Sequence, residues 1–190
     1  MVKNPAPHGP SGDIIGFGSA MSETNYLKGY AQEVVDQVRE LVRTDKLGAL
    51  LRSRHPENHQ LRTDKALYQY TMDLKNTYLR KAGPVAKVIY DDKISLSHHA
   101  LGLHSFVSRK QGRKTKAKNE IRISSLLKLV PEAMLRAVVV HELAHIREKD
   151  HNKAFYNLCC HMEPEYHQYE FDLRLYLTLV DSGGTLEGSR

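Results

Sequence analysis

The sequence predicts an α+β fold in which a small, mainly antiparallel sheet packs on a buried metal-binding helix, behind an N-terminal helical subdomain. Three observations carry that prediction. Apolar residues recur at helical spacing in the first third of the chain, the period drops to two after Pro84, and residues 133–144 are apolar almost all round yet lead into two histidines and a glutamate. With 190 residues and 41% apolar composition, the chain is long enough for one sizeable core. The expected division is a flexible extension over 1–21, a helical subdomain over 22–82, the domain of the metal helix over 83–181, and a flexible tail over 182–190.

The first helix is read over 26–42, where Leu27, Tyr30, Val34, Val35, Val38, Leu41 and Val42 form one stripe. A shorter helical piece over 46–52 ends before Arg54-His55-Pro56-Glu57-Asn58. Thr63 is a plausible N-cap for a second long helix with Leu67, Tyr70, Thr71, Leu74 and Tyr78 on its stripe, closed by Gly83-Pro84. Residues 87–90, 94–98, 103–108 and 120–124 then read as short strands, and their short connections favour antiparallel hairpins. The last helix is expected over 165–180, with Tyr166, Tyr169, Leu173, Leu177 and Val180 at helical intervals.

The stretch from His141 to His151 concentrates the chemistry. Pro131 and Glu132 suit the first turn of a helix that carries His141-Glu142-Leu143-Ala144-His145. Histidines four apart share one helical face and can share one ion, and Glu142 is the carboxylate that would take a proton from an activated water. Unpaired polar groups inside an apolar helix are costly, and coordination removes that cost. On a continuous helix His151 would lie about 9 Å beyond His145 and about 120° off its face. The helix must therefore break between them. Asp150 is the expected N-cap of a new helix with His151 in its first turn, and Glu165 competes as an alternative third ligand.

The run Val138-Val139-Val140-His141-Glu142-Leu143-Ala144-His145, followed by His151-Asn152-Lys153-Ala154-Phe155-Tyr156, resembles the YgjP-like metallopeptidase domain, a zincin-like family related to SprT-like and Wss1-like zinc proteases. Asn119-Glu120-Ile121-Arg122-Ile123 and Pro131 extend the resemblance to roughly residues 86–165. It implies His141, His145 and His151 as zinc ligands and Glu142 as the base. Many members carry Trp-Gly-Ser-Cys on the strand before the helix, whereas this chain has no tryptophan and reads His104-Ser105-Phe106-Val107-Ser108-Arg109 there.

Other polar residues admit two readings. His98, His99 and His104 could line the cleft or sit as satisfied core or rim histidines, and His161 and His167 stand likewise. Met162 reads as a core filler. Glu165, Glu170 and Asp172 are candidates to accept the free N–H of a ligand histidine. The adjacent Cys159 and Cys160 close no useful loop and read as buried thiols.

The net charge of +6 is local. Arg109, Lys110, Arg113, Lys114, Lys116 and Lys118 fall in ten residues without an acid, and the remaining 22 cations equal the 22 anions. That loop either meets phosphate, on nucleic acid or a phosphorylated substrate, or is a solvated hairpin tip around Gly112. No apolar run approaches a membrane span of about 20 residues, and residues 1–20 lack an apolar signal core. A reducing cytoplasm is the expected compartment. The sequence thus leads to a zinc-dependent peptidase acting on a peptide or protein. The alternatives are a nucleic-acid-associated protease or binding module with structural zinc, and a metal-dependent hydrolase of phosphorylated small molecules.

Overall fold

The computed structural model describes residues 25–94, 101–111 and 114–186. Its elements run α1 (Gln32–Arg43), α2 (Leu47–Arg54), α3 (Asp64–Tyr78), β1 (Val85–Asp91), β2 (Gly102–Gln111), β3 (Lys114–Ser124), α4 (Glu132–Ala144), α5 (Lys153–Met162) and α6 (Tyr166–Asp181). The described residues form two compact units, one reaching to Glu57 and resuming at His167, and one running from Asn58 to Tyr166. No helix among the described residues is long and apolar enough to cross a membrane.

In the first unit α1 begins later than the apolar stripe suggests. Gly29 takes a left-handed φ of 92°, which separates a short 3-10 turn at Asn25–Leu27 from the helix proper. Asp172 is fully buried and would be costly alone, but Arg54 pairs with it, His55 Nε2 lies 2.8 Å from Oδ2, and Gln168 donates at 3.0 Å.

The second unit is built on the sheet. Strand order is β1-β3-β2, with β2 antiparallel to β3 and β1 parallel to it. The sheet is therefore mixed, and the expectation of a mainly antiparallel one holds only for the longer ladder. The reason is topological: β1 and β2 are neighbours in sequence but not in space, because β3 inserts between them. The strand expected over 94–98 falls almost wholly outside the described residues, and Ile94 itself is not in a strand.

Ile121 and Ile123 of β3 are fully buried, as are Met134, Leu135, Val139, Val140, Leu143 and Ala144 of α4. Thr63 caps α3 by accepting from the Ala66 N–H at 3.2 Å. Asp64, in the first turn, accepts from the Tyr90 N–H at 2.9 Å, which ties α3 to β1. His59 is buried with both ring nitrogens engaged. Its Nε2 donates to the Leu127 carbonyl at 2.6 Å and its Nδ1 accepts from the Leu61 N–H at 3.0 Å. Tyr70 on α3 meets Glu132 and Arg136 of α4, and Arg136 in turn pairs with Glu163 beyond α5.

Candidate metal centre

α4 ends at Ala144, and the chain turns through Ile146 and Arg147 before α5 begins. The cap of α5 is Asn152, whose side chain accepts from the Phe155 N–H at 3.0 Å. This corrects the assignment of Asp150. An extended residue is needed at the cap, and with Asn152 there His151 lies just before the helix rather than in its first turn.

The break brings three imidazoles together. The Nε2 atoms of His141 and His145 are 3.2 Å apart, those of His141 and His151 3.0 Å, and those of His145 and His151 3.1 Å. Phe155 packs against all three rings, with centroids 4.7–4.9 Å away. Three ring nitrogens at such distances cannot all be satisfied by sharing protons. The tautomers sharpen the point: His145 Nδ1 faces the Glu148 carbonyl at 3.0 Å, which can only accept, so that nitrogen carries the proton and Nε2 offers a lone pair. His141 Nδ1 lies 2.9 Å from the Tyr166 hydroxyl.

A cation fits this donor set. The three Nε2 atoms are spaced as donors to one small cation would be, and His141, His145 and His151 would hold it. Among the described residues these three histidines form the one group of this kind. Glu165 is exposed and its N–H turns back to the Glu163 carboxylate at 3.0 Å, which places it in a turn rather than in the cluster. The other carboxylates expected behind the ligands have partners of their own: Glu170 pairs with Arg174, and Asp172 with Arg54 and His55.

Glu142 is 5% exposed and lies against the edge strand. A Cβ on Gly102 would come 2.3 Å from its Oε1, so the strand must be glycine where the carboxyl passes. The Ser124 N–H donates to the Leu101 carbonyl at 2.8 Å, so the alternation of the antiparallel ladder turns the backbone groups of Gly102 and His104 to the open edge. Burial pushes the Glu142 carboxyl up to about 8, against a hydrogen bond from the His104 backbone that pulls it down. The His104 ring donates from Nε2 to Asn119 Oδ1 at 3.0 Å, and the Asn119 amide is fixed by donating to the Pro84 carbonyl at 3.0 Å. Burial lowers the His104 pKa, the Asn119 bond opposes this, and the neighbouring His145 adds to the lowering.

His98 and His99 are outside the described residues. His161 stacks edge-on with Tyr78, centroids 5.5 Å apart, while Met162 and Cys159 are buried as core. The basic loop is shorter than expected, because β2 runs to Gln111 and β3 starts at Lys114. Arg109, Lys110, Lys114, Lys116 and Lys118 are thus strand residues by backbone, and Arg113 lies outside the described residues. Gly102, Asn119 and Tyr166 were missed by sequence reasoning. A glycine at the start of a strand was the available signal for the first, Asn119 stood only as part of the run that extends the family resemblance, and Tyr166 carried no signal of a role at the site.

A three-imidazole cluster on a broken helix, with a buried carboxylate beside it, is the arrangement of the metal-dependent hydrolases built on His-Glu-x-x-His. The chain belongs to the YgjP-like family, whose metallopeptidase domain matches residues 28–176. That match reaches well beyond residues 86–165 and takes in α1, α2 and α3. A relative from Escherichia coli (strain K12) named UTP pyrophosphatase is 56% identical over 163 residues, covering 86% of this chain and 98% of its own. No solved structure matches significantly.

Proposed function

We propose that the protein is a metal-dependent pyrophosphohydrolase of nucleoside triphosphates, with UTP as its first substrate. His141, His145 and His151 are its ligands and Glu142 its general base. The observation that carries the substrate class is the relative named for UTP. A match of 163 residues within 190 takes in the His141 to His151 stretch wherever it begins. Three neutral imidazoles favour Zn²⁺, which would supply a Lewis acid and a water acidified toward about 7. The chain's own residues do the rest. Glu142 takes a proton from the attacking water as the new P–O bond forms at the α-phosphorus. The bond to the β-phosphate oxygen breaks, pyrophosphate leaves, and the Glu142 proton passes to solvent. The backbone of β2 keeps the carboxyl in place, and Phe155 walls the ligands on one side.

Purified protein incubated with UTP and Zn²⁺ should yield UMP and pyrophosphate, with loss of turnover on chelation and in Glu142→Gln. The same preparations assayed on unfolded proteins and mixed peptides decide against the family-level alternative, amide hydrolysis, which uses the same groups. Peptide cleavage without UTP turnover would reverse the assignment.

The nucleic-acid reading has one observation in its favour. The ladder pairs Arg109 with Lys116, Gln111 with Lys114 and Val107 with Lys118, so four cations occupy register positions of one parity, opposite to that of Ile121 and Ile123. Neutralising Arg109, Lys114 and Lys116 should weaken nucleic-acid binding and flatten its salt dependence. Absence of salt-sensitive binding by the parent protein would dismiss it.

A further inference from the structure

We propose that Tyr166 is a positioning residue of the metal centre, locking the His141 imidazole in the tautomer that presents Nε2 to the ion. The inference rests on the metal-dependent reading above and names what orients one of its ligands. The Tyr166 hydroxyl is 2.9 Å from His141 Nδ1, and the tyrosine is 1% exposed. His141 Nδ1 then carries the proton and donates it to the phenol oxygen, which leaves a lone pair on Nε2, the atom that faces His145 and His151. His145 reaches the same state through the Glu148 carbonyl.

The phenol is itself held by a closed turn. The Tyr166 backbone N–H donates to the Glu163 carbonyl at 3.0 Å, and the Glu163 carboxylate accepts from the Glu165 N–H at 3.0 Å and pairs with Arg136. Arg136 also donates to the Met162 carbonyl at 3.4 Å. Arg136 and His141 stand on the same helix, α4, so one rigid element carries both the ligand and the anchor of the residue that orients it. A carboxylate often occupies this place behind a ligand histidine and makes the imidazole more basic. A neutral phenol fixes the ring without that added charge, so His141 would donate less electron density to a metal held there and leave it the stronger Lewis acid.

Tyr166→Phe keeps the ring and removes the hydroxyl that meets His141 Nδ1. Titration of the full chain with Zn²⁺ and with Co²⁺ against a chromophoric chelator should show affinity lowered about 10–100-fold. The slowly exchanging Nδ1–H signal of His141, read by ¹⁵N-edited NMR of the metal-free protein, should disappear. Glu163→Gln, which loosens the turn without touching the phenol, should lower affinity by less. Equal affinity in wild type and Tyr166→Phe, or weakened affinity with the Nδ1–H signal intact, would overturn the inference. A wild type that binds neither ion would instead overturn the metal-dependent reading on which it stands.

Discussion

The buried carboxyl of Glu142 makes the metal-free protein respond to pH in a way a glutamine cannot reproduce. Its pKa is raised from 4.5 to about 8, chiefly by burial. An acid whose folded pKa is raised keeps a proton that the unfolded chain releases, so its share of stability is complete below 4.5 and drains away as pH rises toward 8. At pH 7.5 about three pKa units separate the two states' behaviour, which amounts to roughly 4 kcal/mol of lost stability. Glu142→Gln removes this loss but buries an amide N–H₂ with no second partner, at a cost of about 1–3 kcal/mol.

The variant should therefore be more stable than wild type by about 1–3 kcal/mol at pH 7.5 and no more stable, or less so, at pH 5. For a chain of this size that is a difference of several degrees in Tm, on the order of 2–4 °C per kcal/mol. Thermal or urea melts of both proteins, stripped with a chelator and run from pH 5 to 8, would show the two curves crossing. Parallel curves would mean that the carboxyl is solvated or already ionised, and the placement of Glu142 behind β2 would be wrong. Adding Zn²⁺ should raise wild type steeply at pH 7.5, since a cation favours the ionised form that burial opposes.

Two further expectations follow from residues away from the ligands. Gly102→Ala places a methyl 2.3 Å from Glu142 Oε1. A displacement of about 1 Å there should cut kcat on the order of 100-fold while the affinity for Zn²⁺, measured by chelator competition, stays near wild type. Full activity in that variant would show that the strand yields instead of the carboxyl. His59 has its pKa lowered by burial, with the Leu127 carbonyl opposing. Its contribution to stability is present above the unfolded value near 6.5 and is lost as pH falls through the lower folded value. His59→Gln can keep both hydrogen bonds without titrating, so urea melts below pH 6.5 should show a shallower pH slope than wild type, by at most about 1.4 kcal/mol per pH unit. Identical slopes would place the titration elsewhere.

Legibility in the sequence followed the range of the interaction. The α4 helix was readable because it is apolar almost all round yet carries two histidines four apart, and the break after it because the geometry of an α-helix forbids His151 from joining His145 on a straight continuation. The cap was misplaced by two residues, since Asp150 and Asn152 are both good capping side chains and only the path of the connection selects between them. Tyr166 was visible only as an apolar position on the last helix. Its partner is 25 residues away, and nothing local marks a phenol as an acceptor for an imidazole. The parallel pairing of β1 with β3 was illegible for a similar reason: hairpin logic joins successive strands, whereas here the third strand inserts between the first two.

A family described by peptidase chemistry and a relative named for UTP are compatible on one site, and the structure suggests why. Water attacking a carbonyl carbon and water attacking a phosphorus both need a base and an electrophile held next to a cation, and both develop negative charge on an oxygen. In the proposed roles the histidines and Glu142 would serve both reactions alike and so would not discriminate. Discrimination must come from groups that receive the rest of the substrate. An extended peptide would add to the open edge of β2, where the His104 backbone N–H is already committed to Glu142. A triphosphate needs cationic partners and no strand pairing. Measuring UTP turnover as the charges of the β2–β3 ribbon are removed would separate these demands. Falling turnover with a rising KM would assign the ribbon to the substrate's phosphates, and unchanged kinetics would leave it to another partner.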